Sequence, residues 1–150
     1  EMPHCNQRSS RSERLPSERP EAELGSIIIV VATDAPVLPH QLKRLVKRVS
    51  LGLGREGSIA SNYSGDIFVA FSTANPGAAA DSGLVALQML PNDRLDPLFA
   101  ATVQATEEAI TNALVAAETV TGADDVRAYA LPHDRLAAIL RKYNRVESRP

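Results

Sequence analysis

Two runs of consecutive apolar residues constrain the fold of this 150-residue chain more than any other feature. They cover residues 27–33 and 67–73; Ile and Val predominate in the first, and Ile, Phe, Val and Ala make up most of the second. Turn-forming residues follow each run, at 34–36 and at 75–77. A short, continuously apolar and β-branched run predicts a strand buried on both faces.

Helical patterns separate and follow these two strands. Residues 39–53 place apolar side chains at helical spacing, with lysines and arginines on the other face, and Gly54 is predicted to end this helix. A long helix is predicted over 96–121 and a last one over 135–143, the latter capped by His133 and Asp134. Residues 84–90 are a weaker candidate for a third strand. This alternation favours an α/β or α+β arrangement with helices packed over a sheet.

Composition narrows the class of protein. Apolar residues make up 44% and charged residues 23%, which is typical of a soluble globular chain. The net charge of −2 gives no electrostatic support for nucleic-acid binding. No apolar stretch is long enough to cross a bilayer, and no secretory signal is visible. We therefore expect no membrane association and a cytoplasmic location, with the periplasm as the alternative.

Residues 1–24 differ from the rest of the chain. They are rich in Ser, Arg and Pro and almost without apolar residues after Met2. Such a segment cannot bury enough surface to offset its ordering entropy, so it is predicted to be disordered or a loop. The ordered part is expected to span 25–150.

The pair Gly25-Ser26 directly precedes the first predicted strand. A serine after a residue without Cβ fits a self-cleaving precursor, in which Ser26 attacks the Gly25 carbonyl and becomes a new N-terminus. The serine would then carry both a nucleophilic hydroxyl and a base, its own α-amine. An ordinary turn before a strand is the alternative, and the pair alone does not decide between them.

The triplet Ser64-Gly65-Asp66 precedes the second predicted strand. Alternate residues of an extended chain share a face, so Ser64 and Asp66 can point into one cleft. The carboxylate could stabilise the α-ammonium of Ser26, and the hydroxyl could relay a proton. A turn again explains the same residues. The three histidines lack a second ligand at metal spacing, so no metal site is predicted. A serine nucleophile with its own α-amine as base calls for no organic cofactor either.

Taken together, these segments resemble the self-processing L-aminopeptidase D-esterase / β-peptidyl aminopeptidase family, in its C-terminal, β-chain portion. The resemblance covers about residues 25–143, and no usable likeness precedes residue 24. The matching stretches are residues 25–36, 38–44, 64–75, 107–114 and 131–134.

The resemblance implies an α/β/β/α sandwich and a serine aminopeptidase that acts on peptides, amides or esters with a free N-terminus. It implies self-cleavage between Gly25 and Ser26, with Ser26 as nucleophile and Ser64 and Asp66 assisting. Some relatives carry glutamate at the position of Asp66. Family members assemble as oligomers of αβ pairs, so a homo-oligomer of this kind is expected.

Almost all of the family's large α chain, with its oxyanion-hole asparagine and much of the substrate pocket, has no counterpart here. The chain is therefore expected to be a β-chain fragment, a truncated product or one half of a split enzyme that needs an α portion as partner. Two alternatives stay open. One is an inactive assembly subunit, and the other is an acyltransferase of the ornithine acetyltransferase type, whose members use threonine as nucleophile.

Overall fold

The computed structural model describes residues 25–146, so the predicted disorder of residues 1–24 lies outside the described residues. Within that range the chain forms two compact units, residues 25–110 and residues 111–146, and the boundary falls inside a helix. Each unit is described by itself.

The first unit is built on two parallel strands joined by a helix. Strand β1 spans Ile28–Thr33, helix α1 spans Pro39–Arg55, and strand β2 spans Ile67–Ser72. Ile28 lies opposite Ile67, and the two strands stay in register to their ends. Parallel neighbours cannot be joined by a tight hairpin, so α1 has to carry the chain back to the edge where β1 began. Both strands therefore start at the same edge of the sheet.

Only one face of this sheet is packed, so the prediction of strands buried on both faces is wrong for this chain. Side chains alternate between half-buried and exposed along β1 and β2. The residues on the outer face are 47–69% exposed although they are apolar: Ile28, Val30, Ile67, Val69 and Phe71. The continuous apolar pattern thus reflects an outer face that is apolar like the packed face but is exposed to solvent in this structure.

A buried glutamine ties α1 to the segment that was predicted as a third strand. Gln41 is completely buried, and its Oε1 accepts a hydrogen bond from the Leu38 amide at 3.1 Å. Its Nε2 donates to the Leu90 carbonyl at 2.7 Å and to Asn92 Oδ1 at 3.0 Å. The Leu90 amide in turn donates to the Pro36 carbonyl. These bonds hold Leu90, and the Asn75 side chain pairs with both backbone groups of Gln88. Residues 84–90 therefore form no sheet ladder, and the prediction of a strand there is wrong.

The core of the first unit lies beside that glutamine. Val37, Leu45 and Leu95 are its buried centre. Partly buried apolar side chains surround them: Ala35, Leu42, Leu90, Leu98 and Phe99. The arginines of α1 also contribute, because the Arg48 guanidinium lies 3.8 Å from the centre of the Phe99 ring.

Helices α1 and α2 approach each other closely at a glycine. Helix α2 spans Asp96–Ala116 and is shorter than predicted, whereas α1 continues past Gly54 to Arg55. A Cβ on Gly52 would lie 2.7 Å from both Thr106 Cβ and the Val103 carbonyl oxygen. The missing side chain is therefore what permits this approach.

The second unit contains a short hairpin and a helix. Strand β3, Val120–Thr121, pairs antiparallel with strand β4, Arg127–Ala128. Helix α3 spans His133–Lys142, so His133 and Asp134 lie in its first turn and do not cap it as predicted. The His133 ring nitrogen Nε2 lies 2.8 Å from the Val115 carbonyl oxygen. In the described part of the chain, no helix is both long and apolar enough to cross a bilayer.

Substitution Gly52→Ala is expected to lower the free energy of unfolding by about 1 to 3 kcal/mol, because the added methyl overpacks against a carbonyl and a Cβ that cannot rotate away. Urea unfolding followed by circular dichroism measures this change. The matched control is Gly54→Ala on the same helix, where a Cβ meets nothing within 4 Å. That variant should be stabilised by about 0.5 to 1 kcal/mol. Equal midpoints for the two variants would contradict the close approach.

Candidate active site

The common starting edge of β1 and β2 brings two segments 39 residues apart into contact. The Gly65 amide donates a hydrogen bond to Ser26 Oγ at 2.9 Å, and the Ile27 amide donates to Asp66 Oδ1 at 3.1 Å. The Ile67 amide then donates to the Ile27 carbonyl at 3.0 Å. Ser26 and Asp66, which were predicted from the sequence as site residues, are thus held at one end of the sheet.

The Ser26 hydroxyl is accessible and retains its own proton. Gly25 and Ser26 are both exposed to solvent. Because Oγ accepts the bond from Gly65, the hydroxyl proton remains available to a base. The oxygen also keeps a second lone pair for attack on a carbonyl carbon. The arrangement therefore suits a nucleophile.

The Asp66 carboxylate has one engaged oxygen and one free oxygen. Oδ1 accepts from Ile27, whereas Oδ2 is buried and has no hydrogen-bond partner among the described residues. Asp66 lines a cavity of about 280 Å³ that also contacts the C-terminal turns of α1. The remaining lining residues are Ser50, Leu53, Ser58, Ile59, Ala60 and Phe68. A buried acceptor without a partner is costly, so Oδ2 is ready to accept a donor.

Ser64 lies next to this contact without joining it. Its amide donates to the Ser61 carbonyl at 2.9 Å, which closes the turn before β2. Among residues 25–146, the structure records no hydrogen bond between the Ser64 hydroxyl and Ser26. The catalytic roles of Ser26, Ser64 and Asp66 stay predictions, as does cleavage after Gly25.

Sequence reasoning missed the Gly65 amide as a contact of the nucleophile. A backbone N–H leaves no mark in residue type, so only the parallel register of β1 and β2 could have indicated it. A larger groove of about 740 Å³ lies between α1 and β2, and neither Ser26 nor Asp66 lines it. Across residues 25–146, no group of three or more His, Cys, Asp or Glu side chains is placed to hold a metal ion.

Most of the chain matches a known protein family. The family model described as peptidase family S58 matches residues 4–128. The chain belongs to this family. The match begins well before residue 24, so the family likeness extends into the segment where the sequence analysis found none.

Relatives share high identity over most of the chain. A β-peptidyl aminopeptidase BapA of Sphingosinicella microcystinivorans is 58% identical over 123 residues, which are 81% of this chain and 31% of that protein. The PH0078 protein from Pyrococcus horikoshii OT3 superposes with a TM-score of 0.73 at 46% identity, covering 79% of this chain and 34% of that one.

The L-aminopeptidase D-Ala-esterase/amidase from Ochrobactrum anthropi superposes with a TM-score of 0.71 at 45% identity, again over 79% of this chain and 34% of that one. Its structure is described as a variant of the Ntn hydrolase fold. The predicted α/β fold class is thereby confirmed. The chain spans about a third of the length of the relatives it matches.

Substitution Asp66→Ala is expected to speed amide hydrogen exchange at Ile27 by about tenfold to a hundredfold, because a hydrogen bond to a charged acceptor contributes about 1.5 to 3 kcal/mol. Exchange followed by NMR measures the rate. Asp66→Asn, which keeps an oxygen acceptor, should preserve most of the protection. Unchanged protection in both variants would contradict the Ile27–Asp66 bond.

Proposed function

We propose that this chain is the nucleophile-bearing part of a serine aminopeptidase, and that Ser26 becomes its N-terminal nucleophile when the Gly25–Ser26 bond is cut. The contact that supports this proposal is the hydrogen bond from the Gly65 amide to Ser26 Oγ. Beside it, the Ile27 amide donates to Asp66 Oδ1. Membership of a peptidase family and the aminopeptidase activities for which the relatives are named support the same conclusion.

In the proposed self-cleavage, the reacting groups lie at this edge of the sheet. Ser26 Oγ attacks the Gly25 carbonyl carbon, the C–N bond breaks, and the nitrogen takes up the hydroxyl proton. The resulting ester is hydrolysed by water, which leaves a free carboxylate on Gly25 and an α-amine on Ser26. Gly25 suits this step because glycine tolerates a strained backbone geometry at little steric cost.

Turnover would use the same hydroxyl. An α-amine titrates just above neutral pH, so a substantial fraction is neutral and can act as general base. Oγ would attack the first peptide, amide or ester bond of a substrate, and water would release the acyl group. We assign proton relay to the Ser64 hydroxyl, although it makes no hydrogen bond to Ser26 among the described residues, and we assign Asp66 Oδ2 as the acceptor for the charged α-amine. No metal or organic cofactor enters these steps.

A further segment would complete the site. The outer face of the β1–β2 sheet is apolar and half-exposed or more, and apolar surface of that kind marks an interaction site. The relatives are about three times as long as this chain. We propose that a segment corresponding to their remaining length, the α portion, packs on this face, carries the oxyanion donors and forms αβ pairs that associate into a homo-oligomer.

The activities for which the relatives are named suggest which substrates to test. Peptides with an N-terminal β-amino acid, and amides or esters of alanine, are the substrates to test first, because relatives are named as a β-peptidyl aminopeptidase and as an L-aminopeptidase D-Ala-esterase/amidase. A p-nitroanilide of β-alanine or of alanine reports release of the N-terminal residue directly.

Intact-mass spectrometry of the purified chain tests self-cleavage. The expected product is a species beginning at Ser26, and Ser26→Ala should abolish it, because the nucleophile is lost. Ser82→Ala, at an exposed loop serine, is the matched control and should cleave normally. Cleavage at Gly25–Ser26 that persists in Ser26→Ala would refute the proposed nucleophile.

Complementation tests the need for a further segment. The chain mixed with the part of the S. microcystinivorans relative outside the aligned region should hydrolyse the p-nitroanilides. Ser26→Ala should reduce the rate by on the order of a thousandfold or more. A folded mixture that binds but neither cleaves nor hydrolyses would favour an inactive assembly subunit.

A further inference from the structure

We infer that Gly65 is a positioning residue for the Ser26 hydroxyl, through its amide and through its missing side chain. This inference rests on the proposed function of Ser26. It adds a residue that carries no side-chain chemistry to the site. Two independent observations support it, one concerning the backbone donor and the other concerning space.

The first observation is the hydrogen bond from the Gly65 amide to Ser26 Oγ at 2.9 Å. This amide is held rigidly. The Ser64 amide is bound to the Ser61 carbonyl on one side, and the Ile67 amide begins the strand ladder on the Ile27 carbonyl on the other. The donor therefore fixes the rotamer of the Ser26 side chain against the sheet.

The second observation is that the Ser26 hydroxyl occupies the space beside Gly65 into which a side chain would extend. An ideal Cβ on Gly65 would lie 3.2 Å from Ser26 Oγ and 3.8 Å from Ser26 Cβ; apart from its chain neighbours, residues 25–146 offer it no other heavy atom within 4 Å. Gly57 and Gly83 have positive φ angles, but Gly65 does not, so the backbone conformation does not require glycine here. A methyl at this position would instead require the Ser26 hydroxyl to move by a few tenths of an ångström.

Both features act on the same atom during the reaction. When a base takes the hydroxyl proton, negative charge develops on Oγ, and a fixed N–H directed at that oxygen stabilises it. As Oγ forms its bond to the carbonyl carbon, the acyl group has to come within bonding distance of an oxygen that a methyl would crowd. Misplacement of a reacting atom by a fraction of an ångström lowers the rate, because attack needs a narrow geometry.

The first experiment observes the hydrogen bond without relying on activity. The 150-residue chain labelled with ¹⁵N-glycine gives signals from eight glycines. Ser26→Ala should shift the Gly65 amide signal and accelerate its exchange with solvent, while the Gly54 signal stays in place. An unchanged Gly65 signal would overturn the inference.

The second experiment tests the need for space. In the assembly that shows cleavage or turnover, Gly65→Ala should lower kcat by about tenfold to a hundredfold with KM little changed. Gly54→Ala, whose methyl meets nothing, should retain the wild-type rate. The urea midpoint of Gly65→Ala should match that of the parent chain, which separates positioning from loss of fold. Equal rates for the two variants would overturn the inference.

A wild-type chain without cleavage or turnover would count against the proposed function and not against the position of the hydroxyl. In that case, NMR of the chain labelled with ¹³C-serine tests whether Gly65 sets the position of the Ser26 side chain. Gly65→Ala should then move the Ser26 Cβ signal, and Gly54→Ala should not. A Ser26 signal that is the same in both variants would overturn the inference.

Discussion

The in-register parallel pairing of β1 with β2 is the constraint on which the rest of this structure depends. Because the strands are parallel, helix α1 must return the chain to the starting edge, and both strand starts are brought together there. The same register sets Ser26 against Gly65 and Ile27 against Asp66. A shift of one residue would turn every side chain of β2 to the other face and would separate these contacts.

The site lies at the amino ends of the strands, whereas open α/β sheets usually bind ligands beyond the carboxyl ends. The position follows from the chemistry proposed for Ser26, since a nucleophile that is to become an N-terminus must precede its strand. The C-terminal turns of α1 line the same small cavity as Asp66. Helix carbonyls at that end and the Asp66 carboxylate together favour a positive charge, as an α-ammonium would supply.

The sequence was sufficient to predict the elements that have strong local signals. The apolar runs gave both parallel strands to within a residue, and the spacing of Leu45, Val49 and Leu53 gave α1. Residues 84–90 were misassigned because side chains, and not a neighbouring strand, bind their backbone: Gln41 binds the Leu90 carbonyl and Asn75 binds both backbone groups of Gln88. The site residues could be named from two short motifs, but the contact of Gly65 with Ser26 depends on register, which local pattern does not encode. Burial on both faces was wrong because, among residues 25–146, the β1–β2 sheet is packed on one face and exposed on the other.

The lack of main-chain hydrogen bonds at Gly25 and Ser26 determines what cleavage between them would cost the fold. The main-chain hydrogen bonds of β1 begin with Ile27. Ser26 is bound through its side chain alone, and within residues 25–146 no main-chain hydrogen bond involves the backbone of Gly25 or Ser26. Cutting between those two residues would therefore leave the sheet ladder whole and convert one molecule into two. Such a break loses no backbone hydrogen bond of the described residues, and it frees the two new ends from a shared peptide bond, which gains conformational entropy. Reversal of the cut would have to oppose that entropy, so the processed state would persist once formed.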